Sequence, residues 1–218
     1  MTDFMKKLAY IVFLAVVLCS CGTSRKAQTT ATQLTPQQIA AADAAEASKK
    51  YEAEGWKCYP SDLPMKRQLE QNYLKLQEVD ESGFPLYITG SGRAVGETHS
   101  AARMAAQMVA INDLAAKIET NLLAIVEESA GNQQIDPESA ASISSVVRGS
   151  QNVISQRLGR TISLVTFYRE LPTKNIEVEM TLAYNAKFAE ESAKAVVREE
   201  LTKKSAELLD KINQVRGF

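Results

Sequence analysis

The sequence predicts an α+β domain: a small antiparallel sheet of about three strands, long helices packed on one face, and a long C-terminal helix. Three observations predict it. Ile176, Val178, Met180, Leu182 and Tyr184 alternate with Glu177, Glu179, Thr181 and Ala183, directly after the β-branched and aromatic run Thr161–Leu171. Apolar residues recur at helical spacing through Glu97–Ala130 and again from Asp136 to Leu158. The last segment, Ala186–Asn213, carries Ala189, Ala193, Val196, Val197, Leu201, Leu208 and Ile212 inward and charged pairs outward. The chain of 218 residues suffices for one ordinary domain, and its 45% apolar content excludes wholesale disorder. With 25 basic against 26 acidic side chains, it lacks the basic excess of a nucleic-acid binder. One histidine and three cysteines leave little material for a metal cluster or a disulfide framework, so no metal and no cofactor is expected.

The elements follow in order. Ile39–Glu54 is rich in alanine and charge; its apolar face is only alanine, so an exposed or loosely docked helix is expected. The globular part is expected to start near Gly55, giving a single domain over residues 55–218. Leu69, Tyr73, Leu76 and Val79 share one face of a helix over Met65–Val79, and Asp80-Glu81-Ser82-Gly83 ends it. Phe84–Val95 starts as a strand that Gly90, Gly92 and Gly96 interrupt. In the helix from Glu97, the expected buried stripe is Ala101, Ala102, Ala105, Met108, Val109, Asn112, Ala115, Ile118, Leu122 and Ile125, and Gly131-Asn132 closes it. Asp136-Pro137 opens the next helix as N-cap and first residue, and Gly159 stops it. Pro172–Asn175 turns the chain between the two hairpin strands. Asn185 caps a final helix of about 42 Å over Ala186–Asn213. Its outer face offers Glu190–Lys194, Glu199–Lys203, Glu200–Lys204 and Glu207–Lys211 as i,i+4 pairs.

The N-terminus reads as an export signal over residues 1–20. Lys6 and Lys7 precede the uncharged apolar run Leu8–Leu18, too short to span a bilayer that needs about 20 apolar residues. Leu18-Cys19-Ser20-Cys21 resembles the lipobox of bacterial lipoproteins: an aliphatic residue, two small ones, then cysteine. The resemblance implies that Leu18, Cys19 and Ser20 form the signal-peptidase recognition site. It implies cleavage before Cys21 and a diacylglycerol on the Cys21 thiol. Cys19 is a rival acceptor, disfavoured by the bulky Leu18 before it. The competing readings are an uncleaved signal anchor or a buried apolar helix with a chance cysteine. Residues 21–54 are then a tether plus the alanine-rich helix; Gly22–Gln38 is small and polar, and is read as a flexible spacer. Arg25 and Lys26 stand where an acidic surface-export cluster would lie. This favours the outer membrane with the domain facing the periplasm, display at the cell surface being the alternative.

Catalytic chemistry is hard to find. Gly90-Ser91-Gly92 and Gly96 give GxGxxxG spacing, with no second βαβ unit to support nucleotide binding. His99 has no cysteine or second histidine beside it, and is read as a surface residue of a helix first turn. Cys58, beside Trp56 and Tyr59, is read as a small packed hydrophobe. Asp62, Asp80, Glu81 and Asp113 show no pairing that supports acid–base work, and Ser142–Ser145 looks like solvated helix surface.

Tyr87-Ile88-Thr89-Gly90-Ser91-Gly92, then Ala101-Ala102-Arg103-Met104-Ala105-Ala106 and Asp113-Leu114-Ala115, resemble the 20-kilodalton lipoprotein family over roughly Gly83–Asn185. That family shares its fold with the amino-terminal domain of a flagellar assembly protein. The resemblance implies helices packed on a small antiparallel sheet, an envelope location and no catalytic residues. The expected function is a non-catalytic binding or scaffolding module in envelope assembly. It would be held to the membrane through acylated Cys21, with an envelope protein as partner and no nucleic acid. The alternative is a small-ligand-binding lipoprotein serving a transporter.

Overall fold

The computed structural model describes Leu34–Val215 and Phe218. The expected signal, its recognition residues Leu18, Cys19 and Ser20, the lipid-bearing Cys21 and most of the tether lie outside the described residues. The fold is α+β. Its elements are α1 (Pro36–Ala53), β1 (Lys57–Cys58), α2 (Met65–Gln77), β2 (Tyr87–Gly96), α3 (His99–Gly131), α4 (Pro137–Gly149) and α5 (Gln151–Arg157). β3 (Ile162–Glu170), β4 (Ile176–Asn185), α6 (Ala186–Lys204) and α7 (Ala206–Asn213) follow.

The strands form one antiparallel sheet in the order β1-β3-β4-β2. The expected hairpin is β3–β4, with Arg169 opposite Glu177, and a bulge falls between Ser163 and Val165. The two-residue β1 adds a strand that its length concealed in the sequence. β2 does not stop at its glycines: it pairs with β4 from Tyr87 opposite Asn185 to Gly96 opposite Ile176.

The glycines are where α3 rests. A Cβ on Gly90 would stand 2.2 Å from the Ala110 carbonyl oxygen, one on Gly92 2.1 Å from that of Ala106, and one on Gly96 2.6 Å from the Ala102 nitrogen. Only glycine admits so close a helix. This seat fixes the rotation of α3. Ala102, Ala106, Ala110 and Leu114 are fully buried against Ile176, Val178, Met180 and Leu182 of β4. The expected stripe is therefore corrected in its first half: Ala101 is exposed, Ala105 half-buried, and Met108, Val109 and Asn112 face solvent. Beyond Leu114 the expected residues Ala115, Ile118 and Leu122 are buried, joined by Val126. There the helix leaves the sheet and enters a bundle with Ile143, Val147, Ile154, Val197, Leu201 and Ile212 of α4 to α7.

Three further expectations change. First, Ile39–Glu54 is docked. α1 is opened by a capping box between Thr35 and Gln38 with Pro36 at its first position, and Ala40 and Ala44 are fully buried. An alanine face suffices because it lets α1 approach α2 closely. Second, serines break two helices read as continuous. Ser150 divides α4 from α5, its hydroxyl donating to the Val146 carbonyl at 2.7 Å. Ser205, at φ −163°, ends α6, and its hydroxyl accepts from Leu208 N–H to start α7. That break turns Ile212 and Val215 back into the bundle. Third, α2 ends at Gln77, before Val79, and Leu76 and Val79 of the expected inner face are exposed at 48% and 53%.

The second face of the sheet is also covered. Trp56, Met65, Leu69, Val165, Phe167 and Ala183 form a cluster there with Ala44 of α1. Gln68, buried on α2, donates to the Leu63 carbonyl at 2.6 Å and accepts from Thr166 N–H at 2.7 Å, closing the β3 edge where β1 ends. Of the pairs expected on the last helix, Glu190–Lys194 and Glu207–Lys211 form. Glu199 instead takes a two-point contact from Arg157, at 2.9 and 2.6 Å, and Lys203 turns to Glu200 at 2.7 Å.

Candidate functional site

A concave surface lies where the turn before β2 meets the start of α6. Asp80 shapes the turn. Its Oδ1 accepts from Ser82 N–H at 2.8 Å and from Phe84 N–H at 2.9 Å, and its own N–H donates to the Phe84 carbonyl at 2.8 Å. Gly83 takes φ +84°, which the turn requires. Val79 pairs with Pro85, and Leu86 N–H donates to the Glu78 carbonyl. So braced, the turn holds Phe84 outward at 68% exposure. Asn185 caps α6 through Phe188 N–H at 3.1 Å, and Ala186 N–H donates to the Leu86 carbonyl at 2.9 Å. This places Phe188 at the same groove, 60% exposed. Two adjoining hollows of about 220 and 360 Å³ share Phe84, Pro85, Ala186 and Glu190; Ile88, Ile118 and Asn121 line one, Leu86, Lys187 and Phe188 the other. The alternation and helical periods that reveal a core carry no signal for such a pair of exposed rings.

The second concentration of polar groups is on the sheet face under α1. Tyr51 donates to Glu179 Oε1 at 2.7 Å, Arg93 also pairs with Glu179, and Arg169 Nε donates to Glu177 at 2.6 Å. The Arg93 and Arg169 guanidiniums lie 5.2 and 4.6 Å from the Trp56 ring, which is 2% exposed. Burial, then the hydrogen bond to the Glu179 carboxylate, pushes the Tyr51 phenol well above its usual value. The polar face expected for β4 is thus a set of closed ion pairs, each carboxylate matched by a cation. It is built to hold α1 and Trp56 on the sheet.

The residues weighed for chemistry are dispersed. His99 is the exposed first residue of α3, with its ring 5.6 Å from Tyr59 and 4.8 Å from Tyr168, centre to centre. Cys58 is half-buried in the cluster with Trp56; burial first, then the Asp62 and Glu52 carboxylates, pushes its thiol up, away from the reactive thiolate. Asp113 accepts from Ser91 N–H at 2.9 Å and from Lys117 at 2.8 Å, while Lys117 also donates to the Thr89 carbonyl at 2.7 Å. Burial alone would raise the Asp113 carboxyl, but these two donors outweigh it and hold it below its usual value. Asp80 is spent on its turn. Ser144 is buried in α4, not solvated as expected. Among the described residues no group of three His, Cys, Asp or Glu side chains could hold a metal ion, and no helix is long and apolar enough to cross a membrane. No family model, no curated protein and no solved structure matches the chain.

Proposed function

We propose that the chain is a bacterial envelope lipoprotein, anchored by acylated Cys21, whose α+β domain works as a non-catalytic binding or scaffolding module at the outer membrane, facing the periplasm. The observation that carries this reading is Leu18-Cys19-Ser20-Cys21 following Lys6, Lys7 and the apolar run Leu8–Leu18. Two or three acyl chains on one residue hold a protein to a bilayer far more firmly than one, since each buried methylene adds about 0.8 kcal/mol. The likeness of the Tyr87–Ala115 region to the 20-kilodalton lipoprotein family supports the reading, as does a long alanine-rich helix seated on an antiparallel sheet. Within the envelope, an unidentified protein partner fits a role in assembly.

Fractionation of cells fed a labelled fatty acid tests the anchor. Cys21→Ala is expected to lose the label and leave the membrane fraction, and Cys19→Ala to retain both. A Cys21→Ala protein that stays in the membrane with label incorporated overturns the assignment. Protease added to intact cells tests the facing: the domain is expected to resist until the outer membrane is permeabilised.

A further inference from the structure

We infer that the domain lies against the lipid bilayer through the groove framed by Phe84 and Phe188, with both rings seated at the boundary between headgroups and acyl chains. The inference rests on the reading of Cys21 as the lipid-bearing residue. Phe84 and Phe188 are exposed at 68% and 60%, and Val79, paired with Pro85 beside them, at 53%. The backbone that carries each ring is fixed: the Asp80 turn binds the Phe84 N–H, and the Asn185 cap binds the Phe188 N–H. Outward aromatic side chains suit an interface that is apolar on one side and polar on the other.

The charges point the same way. Asp80 is engaged within its turn and Glu190 is paired with Lys194. Lys187 at the groove, and Glu81 in the turn, form no ion pair among the described residues. A cation and an anion so placed beside an apolar patch match a zwitterionic headgroup layer, whose phosphates and ammonium groups supply both partners. The chain between anchor and domain supplies the reach. Leu34 is thirteen residues after Cys21, a contour of at most about 45 Å. A domain of this length has a radius of gyration near 16 Å. The domain therefore stays close to the bilayer, and the anchor keeps the local lipid concentration high enough for a weak contact to persist. The groove, with its paired rings, offers an apolar surface for that contact.

Trp56, the sole tryptophan and 2% exposed, makes the test clean. The mature chain with Cys21→Ala is held by an N-terminal histidine tag on nickel-chelating lipid in phosphatidylethanolamine–phosphatidylcholine vesicles containing brominated acyl chains. This tether does not depend on acylation, so its outcome is separate from that of the Cys21 fractionation. Phe84→Trp and Phe188→Trp are expected to lose about half of the added emission to the bromines, as a ring about 5–10 Å deep would. Wild type and Met104→Trp, on the exposed face of α3, are expected to change little. Unquenched emission from both Phe84→Trp and Phe188→Trp overturns the proposal and leaves the groove to a protein partner. Equal quenching of Met104→Trp overturns it too, because the α3 face would then be the one on the membrane.

Discussion

At Gly92 the missing side chain is the structural element. An added Cβ would stand 2.1 Å from the Ala106 carbonyl oxygen and 2.5 Å from the Ala110 nitrogen, both backbone atoms of α3. Relief requires moving the helix, so Gly92→Ala is expected to destabilise the fold by about 1–3 kcal/mol or more. Gly149, at the end of α4, has nothing within 4 Å of where a Cβ would stand, and Gly149→Ala is expected to be neutral or to stabilise by about 0.4–1 kcal/mol. Urea denaturation of the two variants checks the contrast; equal midpoints would mean that α3 does not rest on the strand. At this scale the sequence was legible where chemistry is local. Asp136 with Pro137, Asn185 and Gly131-Asn132 cap or close helices where they were expected. Glu177 and Glu179 were not legible, because carboxylates alternating along a strand look alike whether they meet water or distant cations such as Arg169 and Arg93.

Among the elements, β2 is a sheet edge, and unpaired edges recruit other strands. α3 closes part of this one. Asp113 takes the outward Ser91 N–H and Lys117 the outward Thr89 carbonyl, and the two side chains pair with each other at 2.8 Å. Removing both with Asp113→Ala and Lys117→Ala is expected to leave the fold intact and to raise self-association, seen as a concentration-dependent shift in sedimentation velocity. A double variant that sediments like wild type at all concentrations would show that these contacts do not guard the edge. The same helix shows why its rotation could not be read in advance. From Ala101 to Ile111 only Arg103 and Gln107 are polar, so two opposite stripes are equally apolar. The glycines of β2 choose between them, and glycine carries no hydrophobic period. Helix breaks at Ser150 and Ser205 were equally silent, since serine fits a helix nearly as well as it ends one.

For the molecule as a whole, α3 is the shared beam. Its 33 residues extend about 50 Å, with the first half on the sheet and the second inside the bundle of α4 to α7. The α+β class was legible because periods of two and 3.6 each persist over many residues. The sharing of one helix between two packing centres was not, because it depends on contacts far apart in the chain. Closing the bundle falls partly to Asp136. It accepts from Ser139 N–H at 2.9 Å and from the Ser139 hydroxyl at 2.8 Å, and Lys211 of α7 reaches it at 3.0 Å. The Ser139 backbone bond first, then its hydroxyl and the Lys211 ammonium, hold the Asp136 carboxyl far below the usual range. A carboxyl depressed in the folded state stabilises fully above its unfolded value near 4, and that contribution is lost as pH falls below it. Asp136→Asn is therefore expected to show a smaller drop in unfolding midpoint between pH 5 and pH 3 than wild type. An unchanged drop would place the acid sensitivity elsewhere.

The contact of strand and helix at Gly90, Gly92 and Gly96 also has a genetic consequence. An overfilled core is ordinarily rescued by a second mutation that trims a neighbouring side chain. Here the atoms met first at each glycine are main-chain atoms of Ala110, Ala106 and Ala102, which no codon change can shorten. A suppressor screen starting from a Gly92 lesion should therefore return true revertants or global stabilisers scattered through the fold, with few or no complementary partners in α3. The seam is inherited as a unit or lost.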